Sequence, residues 1–212
     1  TSLGAKERLA LSFRHMKDDP QNNIRVIPPL LRKEVTLHEP YSGDYIHGYM
    51  VNAGFSENVM KWHRQHPRIP LRFFWDKWEE EPVKRVDNTL SFYQLDDVEF
   101  LRQMAGCKAY ASTAGFESVC EAMYLGKPIL MVPAHIEQDC NAYDAKKSGA
   151  GIISSDFNLQ QLLEFAKDYH PNRDFVYWVR GAEYTLLNLL ESDSSNYQQV
   201  LFNEMYLVEE FI

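Results

Sequence analysis

From Asp44 onward, short apolar runs alternate with longer stretches in which apolar residues recur at helical spacing. The apolar runs lie at 45–51, 71–75, 89–93, 109–112, 128–132 and 151–154, and their length and composition predict strands. Between them, helical spacing predicts helices over 56–65, 96–105, 116–125, 139–148 and 159–168, followed by two more over 175–190 and 197–211. Ser56 is the expected N-cap of the first, with Val59 and Trp62 on its inner face. Asp96 or Asp97 caps the second, where an acid suits a helix N-terminus. Gly149 stops the helix that precedes the sixth strand.

The first forty residues are less regular. Leu9, Phe13 and Met16 predict a helix over 5–16, and Asp18 to Asn23 is rich in turn formers. The apolar run 24–31 contains Pro28-Pro29, which no central strand tolerates, so it reads as an extended linker. Residues 36–45 are polar and irregular, and 78–88 read as a charged, exposed stretch. Strands alternating with helices, each strand short and apolar, predict an α/β fold: a Rossmann-like parallel sheet of about six strands with helices on both faces. The expected division is a first segment over 1–35, a nucleotide-binding domain over 36–170 and C-terminal helices over 171–212.

Composition narrows the function more than the fold. With 45% hydrophobic and 25% charged residues, the 212-residue chain has the make-up of a soluble globular protein with one substantial core. A net charge of -8 argues against a nucleic-acid partner, because the phosphate backbone needs a basic face. It leaves room for a nucleotide, which backbone N–H groups at a helix N-terminus can hold. No apolar run approaches the length of about 20 residues that spans a bilayer. Cys107, Cys120 and Cys140 contain no Cys-x-x-Cys pair and read as buried reduced thiols of a cytoplasmic protein.

The candidate chemistry follows the fourth and fifth strands. In an open parallel sheet the ligand crevice lies beyond the carboxyl ends of the strands. The turn Ser112-Thr113-Ala114-Gly115 joins a strand to a helix beginning at Phe116, through small residues that allow a close approach to the backbone. An ordinary tight turn accounts for the same residues. Glu121, six residues after Gly115, is either a solvated helical acid or a carboxylate accepting two hydrogen bonds from a ribose diol. Glu137 and Gln138 follow Pro133-Ala134-His135 just after a strand, with Asn141 behind them, and offer the acceptors and donors that a hydroxyl-rich sugar requires. A polar surface loop would look similar. His135 and Glu137 lack a third ligand nearby, so no metal is expected.

Taken in order, these residues resemble the donor-binding half of the GT-B glycosyltransferases. The branch most similar contains the lipid II-forming N-acetylglucosaminyltransferase and the UDP-glucuronosyl and macrolide transferases. The residues that carry the resemblance are Ala114-Gly115, Glu121, Gly126-Lys127-Pro128, Val132-Pro133, Glu137-Gln138, Asn141-Ala142 and Gly149-Ala150-Gly151. The resemblance implies a GT-B C-terminal domain in which Thr113, Ala114, Gly115 and Phe116 approach the donor diphosphate. Glu121 takes the ribose hydroxyls, Glu137 and Gln138 face the donor sugar, and Leu95 offers backbone groups to the base. It further implies a UDP-sugar as donor substrate, no metal or other cofactor, and a catalytic base on a missing N-terminal half.

The chain departs from that family in three respects. Ala114 stands where Gly or Ser is usual, and no glycine-rich loop occurs between Tyr49 and Phe55. Arg25 to Arg32 resembles the segment that crosses between the two halves, so the chain is expected to be a C-terminal piece or a stand-alone half that transfers nothing alone. Two other functions fit the same architecture: a nucleotide-sugar 2-epimerase, and a donor-binding subunit that docks on a partner half. The split transferase of dolichol-linked sugar synthesis is a precedent for the second, and implies peripheral membrane association through a membrane-bound partner.

Overall fold

The computed structural model of the chain describes residues 4–77 and 81–191. It divides into two compact units, Leu31–Val176 and a second formed by Thr1–Leu30 together with Tyr177–Ile212. The larger unit is built on a seven-stranded sheet. Its strands are β3 (Ile46–Met50), β4 (Leu71–Trp75), β5 (Val83–Arg85), β6 (Leu90–Gln94), β7 (Ala109–Ser112), β8 (Ile129–Met131) and β9 (Gly151–Ile153). The spatial order is β5-β6-β4-β3-β7-β8-β9. All neighbours are parallel except β5, which runs antiparallel to β6. The six parallel strands are those the apolar runs predict. The seventh, Val83-Lys84-Arg85, falls in the stretch read as merely exposed; it carries one apolar residue and is a strand only through its pairing with Ser91–Tyr93. Charged residues on such an edge also discourage pairing with other chains.

The order of the strands places the crevice. The chain moves outward from β3 to β4 and β6, then returns to the opposite side of β3 as β7 and moves outward again through β8 and β9. The direction reverses between β3 and β7, so the connections beyond their carboxyl ends diverge and leave a gap there.

Successive side chains of each strand face opposite layers. Ile46 and Met50 join a core with Val59 and Trp62 of α2 (Ser56–Gln65) and with Leu159 and Leu162 of α6 (Leu159–Phe165). His47 and Tyr49 face the other layer, where both rings meet Phe100 of α3 (Asp97–Gly106). On this side α4 (Phe116–Tyr124) buries Val119 and Met123. Asp96 caps α3 as expected, accepting from the Glu99 N–H at 2.8 Å.

Three helix boundaries differ from expectation. Ser56 is not a cap: a 3-10 turn over Ala53–Phe55 runs directly into α2, and Asn52 accepts from the Gly54 N–H at 2.8 Å instead. α5 spans Ile136–Lys147 and so begins three residues before the expected Asp139. Its first turn carries Glu137 and Asp139, which complement the helix dipole, while His135 enters in an extended conformation. The expected helix over 175–190 is interrupted: α7 covers Arg173–Arg180, Gly181 breaks the spiral, and 182–191 are helical again. Asn172 caps its start by accepting from the Phe175 N–H at 3.1 Å. The helix expected over 197–211 lies outside the described residues.

In the smaller unit the predicted helix over 5–16 is a strand. β1 (Arg8–Leu11) pairs in parallel with β2 (Ile24–Ile27), the segment expected to be a linker. The spacing of Leu9, Phe13 and Met16 suits a helix, but pairing with a segment sixteen residues away overrides it, as the register Arg8↔Ile24 shows. The strand β2 ends at Ile27, immediately before Pro28, as the proline pair demands. The Ser12 carbonyl accepts from the Trp178 indole at 3.0 Å, and Trp178 also meets His15 edge to face. Of the three cysteines, Cys107 and Cys120 are buried, but Cys140 on the outer side of α5 is exposed.

Candidate functional site

The connection from β7 to α4 lies at the reversal point of the sheet. Thr113 continues the pairing of β3 and β7 just past the strand ends: its N–H donates to the Tyr49 carbonyl at 3.3 Å, and its hydroxyl accepts from the Val51 N–H at 3.4 Å. Thr113 and Ala114 are fully buried. Ala114 has φ of 62°, a left-handed conformation that costs a residue with a Cβ about 1–2 kcal/mol. Two side chains fix it there. Ser112 Oγ accepts from the Ala114 N–H at 2.9 Å, and Asn141 Nδ2 on α5 donates to the Ala114 carbonyl at 3.3 Å.

The strained turn delivers Gly115, in extended geometry, to the N-cap of α4, which no side chain caps. A Cβ built on Gly115 would meet only Ser118 Oγ, at an ordinary 3.7 Å. Packing therefore does not require glycine here. Phe116, the first residue of the helix, is half-buried.

Glu121 is the sixth residue of α4, in its second turn, and is buried. Its carboxylate is held side-on by Arg32: Nε donates to Oε1 at 2.6 Å and the terminal Nη2 to Oε2 at 3.2 Å. The other terminal nitrogen of Arg32 reaches Asp97 Oδ1 at 3.0 Å, in the first turn of α3. Burial pushes the Glu121 carboxyl above the usual carboxylate range; the Arg32 hydrogen bonds and charge pull it back, and the acids Glu117 and Asp97 push it up again. Partial burial works against the Arg32 charge, but its bonds to Glu121 and Asp97 outweigh this and raise its pKa. Arg32 and Asp97 have no counterpart among the candidates read from sequence. A lone arginine after Pro28-Pro29-Leu30-Leu31 was the available sign, and a partner 89 positions away has no local pattern.

The remaining candidates lie at carboxyl ends of the same sheet. Leu95 follows β6 and is exposed, one residue before the Asp96 cap. Asp97 in turn shares the Arg32 guanidinium with Glu121, which ties the α3 start to α4. Glu137 and Gln138, expected in a loop, stand in the first turn of α5 beyond β8. Glu137 is exposed. Gln138 is buried and its Oε1 accepts from the Ala134 N–H at 2.8 Å, so its oxygen shapes the loop before the helix. Asn141 belongs to the strained turn through Ala114. No three His, Cys, Asp or Glu side chains among the described residues form a metal-binding cluster.

The motif Gly149-Ala150-Gly151 is explained by packing. Gly149 has φ of 76° and ends α5, while a Cβ on Gly151 would lie 1.9 Å from the Ile129 carbonyl oxygen of the neighbouring strand. The amino edge of the sheet holds a cleft of about 490 Å³ lined by Tyr41, Cys107, Lys108, Tyr124 and Tyr169. It lies away from the strand ends where an α/β sheet binds its ligand.

Comparison with solved structures recovers the same architecture. The glycosyltransferase of kitacinnamycin superposes with a TM-score of 0.57 at 13% identity, over 81% of this chain and 49% of that one. The spinosyn forosaminyltransferase gives 0.54 at 12% identity, over 87% and 54%. The calicheamicin glycosyltransferase gives 0.54 at 12% identity, over 80% and 48%. The chain therefore spans about half the length of these structures, and at such identities the likeness is one of fold: the GT-B arrangement, represented by one half. No curated protein matches the chain by sequence comparison. The sequence pattern of glycosyl transferase family 1 matches residues 4–169, which takes in both strands of the small unit and the whole seven-stranded sheet; the chain belongs to glycosyl transferase family 1.

Proposed function

We propose that the carboxyl edge between β3 and β7 binds a nucleotide-sugar donor, a UDP-sugar, and that the chain is the donor-binding half of a glycosyltransferase. The observation that carries this reading is the junction at α4: a helix N-terminus without a side-chain cap behind a strained turn, with a buried carboxylate in the second turn of the same helix. In this reading the diphosphate rests on the N–H groups at Gly115 and Phe116, where the helix dipole favours negative charge. Thr113, Ala114 and Asn141 hold that turn rather than touch the ligand. Glu121 accepts from the ribose hydroxyls, the backbone at Leu95 meets the base, and Glu137 and Gln138 face the sugar. Backbone N–H groups stabilise the departing diphosphate without a metal.

The acceptor and the base that activates it are assigned to a partner half, continuous with this chain or separate. The 212-residue chain alone then transfers no sugar; transfer by the purified chain would overturn this part of the reading.

Isothermal titration with UDP, GDP, CMP and TDP tests the site. UDP should bind, and Glu121→Ala should weaken it by about 1–3 kcal/mol, the cost of losing hydrogen bonds to a charged group. UDP binding that ignores Glu121→Ala would remove Glu121 from the site, and tighter binding of another nucleotide would replace the uracil assignment.

A further inference from the structure

The Glu121 carboxylate already has a partner before any ligand arrives. Arg32 occupies one lone pair on each oxygen, through Nε and Nη2 at 2.6 and 3.2 Å. An ionised carboxylate offers about four such sites, so one remains on each oxygen. Two acceptors side by side match the two adjacent hydroxyls of a ribose. The guanidinium is itself fixed at its far end by Asp97, 3.0 Å away, and its side chain remains about one-third exposed at 32%. The backbone also places it: Arg32 is the extended N-cap of a short helix α1 (Lys33–Thr36).

We propose that Arg32 is a positioning residue of the donor site, holding the Glu121 carboxylate ionised and oriented so that its free lone pairs accept both hydroxyls of a nucleotide's ribose. This rests on the donor-site reading given above. The physical need for it is plain from the surroundings of Glu121. The charged groups facing it are Arg32, Glu117 on its own helix and Asp97 on α3; the neutral Cys120 thiol and the Tyr110 hydroxyl lie close by. Of the groups just named, only Arg32 carries positive charge. Removing it leaves a buried carboxyl between two acids, and such a group takes up a proton. A protonated Glu121 has a donor where the second ribose hydroxyl needs an acceptor.

The test compares wild type with Arg32→Met, Arg32→Gln and Arg32→Lys. Protein labelled with 13C at glutamate carboxyls gives the titration midpoint of Glu121 without ligand, its resonance identified by loss in Glu121→Gln. Calorimetry gives UDP affinity from pH 5 to 8, each variant read against wild type at the same pH so that titration of UDP itself cancels. In Arg32→Met and Arg32→Gln the Glu121 midpoint should rise by at least one pH unit. Their UDP affinity should fall about tenfold per unit below that midpoint and recover above it. Arg32→Lys should restore most of the midpoint through its charge, but less of the affinity, because a single ammonium does not reproduce the fork.

An unmoved midpoint overturns the proposal even where wild type binds UDP. An equal loss of affinity at every pH would make Arg32 a structural tie alone, and tighter UDP binding by Arg32→Met would make it a blocker; either result also overturns it. A midpoint that moves while wild type binds no nucleotide refutes the donor-site reading, and the proposal with it.

Discussion

The two edges of the sheet each bury a charge, and they treat it differently. At the amino edge Lys127 is buried, and its ammonium donates to the Tyr41 and Cys107 carbonyls at 2.7 and 3.0 Å. Burial lowers its pKa. Its partners are backbone groups of the loops before β3 and β7, and they keep those loops closed. At the carboxyl edge Glu121 is paired with a guanidinium that is about one-third exposed. It follows a turn held at φ of 62°. A cleft lies at the amino edge, yet the strain and the partly exposed charge pair are at the other. Backbone strain persists where surrounding structure over-determines it, and it concentrates at functional sites.

The contrast predicts that changes in the amino half of the sheet alter stability and that loss of the carboxyl-edge charge alters binding. The largest effect belongs to His47, which lies in the amino half of β3 between Phe74, Phe100 and Tyr110. Neither ring nitrogen makes a hydrogen bond of good geometry. Burial lowers its pKa from 6.5 to about 3, against an opposing contribution from the Arg72 backbone. Between those values the unfolded chain binds a proton that the native state refuses, so stability is present above pH 6.5 and falls as pH drops towards 3. The full effect is up to about 5 kcal/mol. Urea unfolding of His47→Phe and wild type should diverge over this window; parallel curves would show that His47 does not titrate as its burial demands.

Next in size is Lys127→Met, which strands two carbonyls. It should cost about 3 kcal/mol of unfolding free energy, at the scale of two charge-assisted hydrogen bonds. UDP affinity should stay unchanged, and a joint loss of both would erase the distinction between the edges. Glu121→Ala should do the reverse, weakening UDP by about 1–3 kcal/mol with a smaller change in the denaturation midpoint. The smallest effect is expected at Ala114. Ala114→Gly relieves the left-handed strain but adds chain entropy to the unfolded state, a net stabilisation of about 0.5–1 kcal/mol. A destabilised variant would mean that the Ala114 methyl contributes packing that exceeds the strain.

Several candidate residues are legible for reasons separate from their geometry. Gly115 and Glu121 stood out because a small-residue turn and an acid on the next helix fit a strand-to-helix junction. Arg32 was not legible, since its partners Glu121 and Asp97 belong to other elements. Pro133-Ala134-His135 reads as loop, so the expected start of α5 falls three residues late and leaves Glu137 and Gln138 off the helix. The apolar residues of β1 also fit a helix, and only the pairing with β2 decides between them.

By itself the sequence determined the alternation of strands and helices, the six parallel strands and the turn at Gly115, because short apolar runs, caps and glycines act within a few residues. Tertiary structure decided which strand lies beside which, that β3 and β7 form the reversal point, that Ala114 is strained, and that Arg32 holds Glu121. Those outcomes depend on contacts between residues far apart in the chain, whose free energy exists only once the sheet has brought them together.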